Sequence, residues 1–182
     1  SPFCDAIISL RFADGLPLNI HRSIILLQCS KLGLLIDSST KTINLRRFSG
    51  IAGHGLVSYL YSGAYGLLNN SPTLDIELYK LKSKFEIYAL ARTIEFDGLE
   101  EQVRDDIERT ADGLDIFTAI NAVNETYPTL IGNDTWFPRW IRSLIKKTFE
   151  DPKKLSLIPL AADFGDGCSI LKLLFGCMLE TY

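Results

Sequence analysis

His21, Cys29 and Ser30 are the residues of this 182-residue chain whose types and spacing come nearest to a catalytic arrangement. An imidazole beside a thiol or hydroxyl can take its proton and release a nucleophile. Here, however, the three side chains fall within a single short helical stretch, where a working pair is better drawn from distant elements. A small hydrolase or transferase built on His21 and Cys29 is therefore the enzymatic alternative, not the favoured reading. His21 is expected instead as a hydrogen-bonded brace, because a neutral imidazole both donates and accepts. His54, at a glycine-rich helix start, is expected at the surface.

Other motifs carry less chemistry. The Gly50-x-x-Gly53-x-Gly55 run has the wrong order for a dinucleotide loop and follows a strand of only about four residues. Asp163-Phe164-Gly165 lacks every companion element of a kinase. The four cysteines, Cys4, Cys29, Cys168 and Cys177, form no Cys-x-x-Cys, and neither histidine has a ligand-like neighbour. No metal and no cofactor is expected on that spacing, and the thiols read as free and buried. Arg139, Arg142, Lys146 and Lys147, with Lys153 and Lys154 beyond, read as a solvated helix face. The sequons at Asn69, Asn124 and Asn133 are common by chance.

Composition sets the frame. Hydrophobic residues at 47%, charged residues at 23% and a net charge of −3 are globular proportions without the basic excess of a general nucleic-acid binder. No apolar run reaches the roughly 18 residues of a membrane span. The opening Ser-Pro-Phe-Cys-Asp has neither an initiator Met nor a signal-peptide pattern, as an excised piece would start.

The elements that must position these residues follow from periodicity. Asp5 to Phe12 alternates as a strand, Ala13-Asp14-Gly15 is a hairpin turn, and Leu16 to Ile20 returns. At His21 the period changes to helical through Ile24, Ile25, Leu26 and Leu27. Ser30 is expected to cap a second short helix carrying Leu32, Leu34, Leu35 and Ile36. Thr42 to Leu45 reads as a third strand. Ser49 caps a helix that Gly63 stops, its glycines weakening the start. Leu74 to Phe96 is one long helix, interrupted by Asp97-Gly98. The next carries Leu99, Val103 and Ile107 inward, with Glu100, Glu101, Arg104, Asp105 and Asp106 on its wet sides. Ala111-Asp112-Gly113 is the internal boundary. Asp115 to Val123, Asp134 to Phe149 and the apolar stretch Cys168 to Leu179 read as further helices. The expected fold is α+β: a small three-stranded sheet flanked by a cluster of helices over residues 1–110, then an all-helical extension over 111–182.

Three segments in this order carry a resemblance. Cys4-Asp5 precedes an alternating strand, His21-Arg22 opens a helix and Ser30 closes it. Leu56 to Tyr65 contains Tyr59-x-Tyr61-x-Gly63-x-Tyr65, and Tyr88-Ala89-Leu90-Ala91 leads to Leu99. Together these resemble the BTB/POZ family, in the form of a fungal-type domain with a helical extension, over Phe3 to Arg109. The resemblance implies a non-enzymatic protein–protein interaction domain that forms a homodimer or docks a partner, as in transcriptional or chromatin regulation. It implies structural roles for Asp5, His21, Ser30 and Gly63. Ile7, Leu10, Ile24, Ile25 and Gln28 become interface candidates, one or two of Ile24 to Leu27 facing outward. A second implied role is substrate adaptor for a cullin-type ubiquitin ligase, with Val123-Asn124-Glu125 as the apolar-x-Glu element, Val123 and Glu125 being its contacts. Many family dimers exchange a strand preceding the segment that begins at Phe3, and this chain holds almost nothing there. An intracellular setting, nuclear or cytoplasmic, follows from the same resemblance, with no membrane and no direct nucleic-acid contact.

Overall fold

Gly15, with φ of 81°, turns the chain so that β1 (Ile7–Arg11) pairs with β2 (Leu18–His21). That left-handed backbone is open to glycine without a Cβ clash. The strands are antiparallel, with Ile8 opposite Ile20 and Ile7 opposite His21. β3 (Thr42–Asn44) joins the other side of β1 in parallel, giving the order β2-β1-β3. Alternation separates the faces, as a strand period of two requires. Ile8, Leu10, Ile20 and Ile43 point into the core, while Ile7, Arg11, Thr42 and Asn44 are exposed. The computed structural model describes residues 6–15, 17–67, 76–114, 116–124 and 134–149. The described residues form this mixed sheet and seven helices, an α+β fold that is mostly helical.

Two compact units divide the chain, Ser1–Thr110 and Ala111–Tyr182. In the first, two short helices, α1 (Arg22–Gln28) and α2 (Ser30–Gly33), follow β2 directly. α3 (Gly50–Ser62) starts at Ser49, whose hydroxyl accepts the Ala52 N–H at 3.3 Å. The same hydroxyl donates to the Glu86 carboxylate on α4 (Ile76–Thr93), so the cap also fastens two helices. Gly63 ends α3 in a left-handed conformation at φ of 72°, as the sequence suggests. α3 is buried against both the sheet and α4. A Cβ on Gly53 would lie 2.4 to 2.7 Å from ring atoms of Phe12, and one on Gly55 2.6 Å from Ile87. The glycines that weaken the helix on propensity are thus the positions where neighbours come closest.

The connection from α4 to α5 (Asp97–Ala111) lies three residues earlier than the Asp97-Gly98 break expected from sequence. Phe96 N–H bonds back to the Ala91 carbonyl at 2.9 Å, and Glu95 takes a positive φ of 52°. This 6→1 closure ends the helix, and Asp97 then sits in the first turn of the next one. Buried Leu81, Phe85, Tyr88, Leu99, Val103 and Ile107 lie on the inner faces of the pair.

In the second unit, α6 (Ile116–Asn124) packs on α7 (Trp136–Phe149) through small and apolar faces that bury Ala119, Ile120, Phe137, Ile141 and Ile145. Asp134 caps α7, its Oδ1 accepting the N–H groups of Trp136 and Phe137 at 2.9 and 3.0 Å. Pro138 falls in the first turn, where its missing donor costs little. Asp5, Glu125, Asp163-Phe164-Gly165 and the Cys168 to Leu179 stretch lie outside the described residues.

Gly53→Ala should lower stability by about 1–3 kcal/mol through overpacking against Phe12, despite the better helix propensity of alanine. Urea unfolding checks this: the midpoint should fall with the slope unchanged, and an unshifted midpoint would mean that the Phe12 ring turns aside.

Candidate functional site

α1 begins at His21 without a loop, yet the imidazole makes no capping bond to the helix. The partner lies on α3 instead. Tyr61 Oη accepts the His21 backbone N–H at 3.1 Å and lies 2.5 Å from Nδ1. The two contacts are compatible when the hydroxyl donates to Nδ1 and the ring proton sits on Nε2. The rings meet edge to face at 5.9 Å. These contacts tie the strand–helix junction to α3, and the imidazole does not satisfy its own helix. Ser30 differs more: Cys29 occupies the cap position of α2, and Ser30 is the first helical residue.

The His21–Cys29 pair does not assemble. Cys29 is buried, with its sulfur directed at the Ile94 carbonyl at 4.0 Å. Burial raises its pKa, against the weaker lowering effect of the Leu32 and Lys31 amides, so the thiolate is disfavoured. Among the described residues no group of three His, Cys, Asp or Glu side chains is arranged to hold a metal ion. His54 departs from expectation, being half-buried, with an Nδ1 that is fully enclosed and has no hydrogen-bond partner.

The surface of α1 and α2 is unusual. Only Ile25 of α1 and Leu32 of α2 are buried, together with Cys29 between them. Leu26, Leu27, Leu34 and Leu35 are exposed by 48, 78, 83 and 58%. The seven-residue length of α1 is the cause: two turns resting on α3 and β2 present a single inward position. A Cβ on Gly33 would lie 3.6 Å from Leu26 Cδ2, so the end of α2 passes close to that leucine of α1. Lys31 and Glu95 form an ion pair of 2.6 Å beside them. Of the interface candidates from sequence, Ile7 and Gln28 are exposed and Ile24 is half-buried. Leu10, Ile25 and Val123 are not available to a partner, because all three are fully buried in their own cores. Two of the four aliphatics from Ile24 to Leu27 do face outward, and they are Leu26 and Leu27.

A second cluster was not legible in the sequence. Lys84, only 8% exposed, places Nζ 2.9 Å from Asp106 Oδ2 and donates to Thr110 as well. Tyr65 donates its hydroxyl to the same carboxylate, and Arg109 reaches Oδ1 at 3.2 Å. Asp106 thus leaves the wet side of α5 to which periodicity assigned it. Its burial favours the neutral acid, but hydrogen bonds from Tyr65 and Lys84 and the charges of Lys84 and Arg109 prevail, holding the carboxyl below its ordinary range. Burial and that carboxylate push the Tyr65 hydroxyl upward, so it remains a donor. A surface depression of about 400 Å³ adjoins, lined by Ala64, Tyr65, Leu67, Gln102, Asp106 and Arg109. With its oxygens committed to three donors, Asp106 is an ion-pair anchor for the segment after α3, not a poised base. The available sequence signal was Lys84 itself, a cation among Leu81, Phe85 and Tyr88 in the buried part of α4.

On α7, Arg139, Arg142, Lys146 and Lys147 are all exposed, and Lys147 pairs with Asp112 at 2.9 Å. No helix among the described residues is long and apolar enough to cross a membrane.

These features define a small α+β domain with a braced core, one ionic anchor and an exposed leucine face. The family model described as the HAC6 N-terminal domain matches residues 22–114, half of the chain, and the chain belongs to that family. No curated protein and no solved structure matches it. The resemblance to BTB/POZ domains is therefore overturned: the matching family is a different one, and no BTB family matches. Each quoted segment has a local cause. The hairpin needs an alternating strand and Gly15, the end of α3 needs Gly63, and Tyr61 and Tyr65 serve His21 and Asp106. The strand-exchanged dimer and the ligase-adaptor role lose their ground with that resemblance.

The His21–Tyr61 brace should be worth about 1 kcal/mol. His21→Ala and Tyr61→Phe, measured singly and together by urea unfolding, should show a coupling of about 0.5 kcal/mol or more. Additive losses would mean that the two side chains act independently. Because the Asp106 pKa is depressed on folding, its contribution is present above the ordinary carboxylate range and lost as pH falls through the folded value. Stability should thus decline more steeply below about pH 4 in the parent than in Asp106→Asn. Equal acid slopes would remove Asp106 from that role.

Proposed function

We propose that this chain is a non-enzymatic protein-interaction module and that the α1–α2 leucine face is its contact surface. The observation that carries the reading is the exposure of Leu26 and Leu27 on α1 and of Leu34 and Leu35 directly after α2. Contiguous exposed apolar residues rimmed by polar ones mark association sites more often than free surface. The occupant we favour is a second copy. A two-fold contact sets the same patch against itself, and a rim that carries both signs of charge suits such a contact. Lys31 and Glu95, partly exposed beside the leucines, offer both. The buried Cys29 and the committed His21 and Asp106 support leaving catalysis out of the function. An intracellular setting accords with a buried free thiol.

Light scattering over a concentration series, on the parent and on Leu27→Asp with Leu34→Asp, tests this. The parent should approach twice the monomer mass as concentration rises. The double variant should stay monomeric with an unchanged unfolding midpoint, since both side chains are solvent-facing. A parent that remains monomeric throughout would retire self-association.

A further inference from the structure

β3 is an edge strand, and among the described residues no further strand lies on its outer side. Ser9 N–H bonds to the Lys41 carbonyl at 2.9 Å and Leu45 N–H to the Arg11 carbonyl at 2.7 Å. In a parallel ladder alternate residues face the neighbour, so the Lys41 carbonyl, both groups of Ile43 and the Leu45 N–H are spent on β1, while the Leu45 carbonyl accepts from Phe48 N–H. The N–H and C=O groups of Thr42 and Asn44 therefore point away from the sheet. Among the described residues neither is bonded to another strand, and both side chains are exposed. Four cations surround this edge: Lys41 before it, Arg46 and Arg47 after it, and Arg11, whose register partner is Asn44. All four are exposed, and none is paired with an acid among the described residues. Elsewhere in the same unit, Lys31, Lys80, Lys84, Arg104 and Arg109 each have a carboxylate partner.

We propose that the β3 edge binds an extended acidic peptide segment by strand addition. Two features select this partner. The edge presents donors and acceptors in alternation at strand spacing, which only another peptide backbone can answer in both senses. A phosphodiester chain has no donor for the two carbonyls. The flanking cations then select acidic side chains and make the contact salt-sensitive. The site is separate from the leucine face. Short length and basic flanks also discourage indiscriminate edge pairing, so the same residues that admit an acidic strand exclude neutral and basic ones.

The test is an amide-shift titration of the isotope-labelled full chain with a short blocked peptide alternating Glu and Val. Its counterparts are the Lys-and-Val peptide and the Glu-and-Val peptide N-methylated at alternate residues. The expected result is saturable shifts centred on Thr42 and Asn44, with about tenfold weaker binding on N-methylation. Arg46→Glu with Arg47→Glu should cause a similar loss, and the Lys-and-Val peptide should not bind the parent. Absence of a saturable shift overturns the proposal. So does equal binding of the N-methylated peptide, which would mean charge attraction alone. Tighter binding of oligothymidylate at the same amides would assign the edge to nucleic acid and overturn it likewise.

Discussion

Helix α3 can lie against the Phe12 ring and the Ile87 side chain only because Gly53 and Gly55 carry no Cβ. Much of the first unit hangs on that approach. Ser49 at one end of α3 caps the helix and reaches Glu86 on α4. Tyr61 near the other end holds the junction between β2 and α1. Past Gly63 the chain turns so that Tyr65 meets Asp106 on α5. A helix held further out by two methyl groups would displace all three contacts together, because packed interiors do not deform smoothly.

The charges fall into two regimes. Lys84 is buried and needs its counter-charge, since an unpaired ammonium in that position would carry a desolvation cost of several kcal/mol. Lys31–Glu95 and Lys147–Asp112 lie in solvent, and pairs of that kind contribute little to stability. Lys84 and Asp106 thus bear on folding, while Lys41, Arg46 and Arg47 are exposed and have no acidic partner among the described residues. The same division runs through the apolar residues. Ile25 and Leu32 fix α1 and α2 to the core, leaving the leucines beside them unclaimed.

The overturned family resemblance has a physical lesson. A strand, a sharp junction and a tyrosine-rich helix end are local solutions that different families reach independently. The sequence singles out His21 at the junction but not its partner; in three dimensions that partner is Tyr61 on α3, whose hydroxyl meets both the backbone N–H and the ring. Leu10 and Ile25 look like interface residues only until the sheet and α3 cover them.

What the sequence determined by itself is what local rules govern. Period-two alternation gave β1 and β2, Asp14-Gly15 their turn, Ser49 and Gly63 the ends of α3, and the α+β order followed. The tertiary structure decided which of several equivalent apolar residues were covered: Leu26 and Leu27 differ from Ile25 only in facing away from α3. It decided that Asp106 turns inward to Lys84, residues 22 positions apart whose pairing no helical period encodes. It also decided that Gly53 and Gly55 are contact points and not weaknesses. Periodicity reports which face of an element is apolar, whereas burial depends on what arrives from a distant part of the chain to cover it.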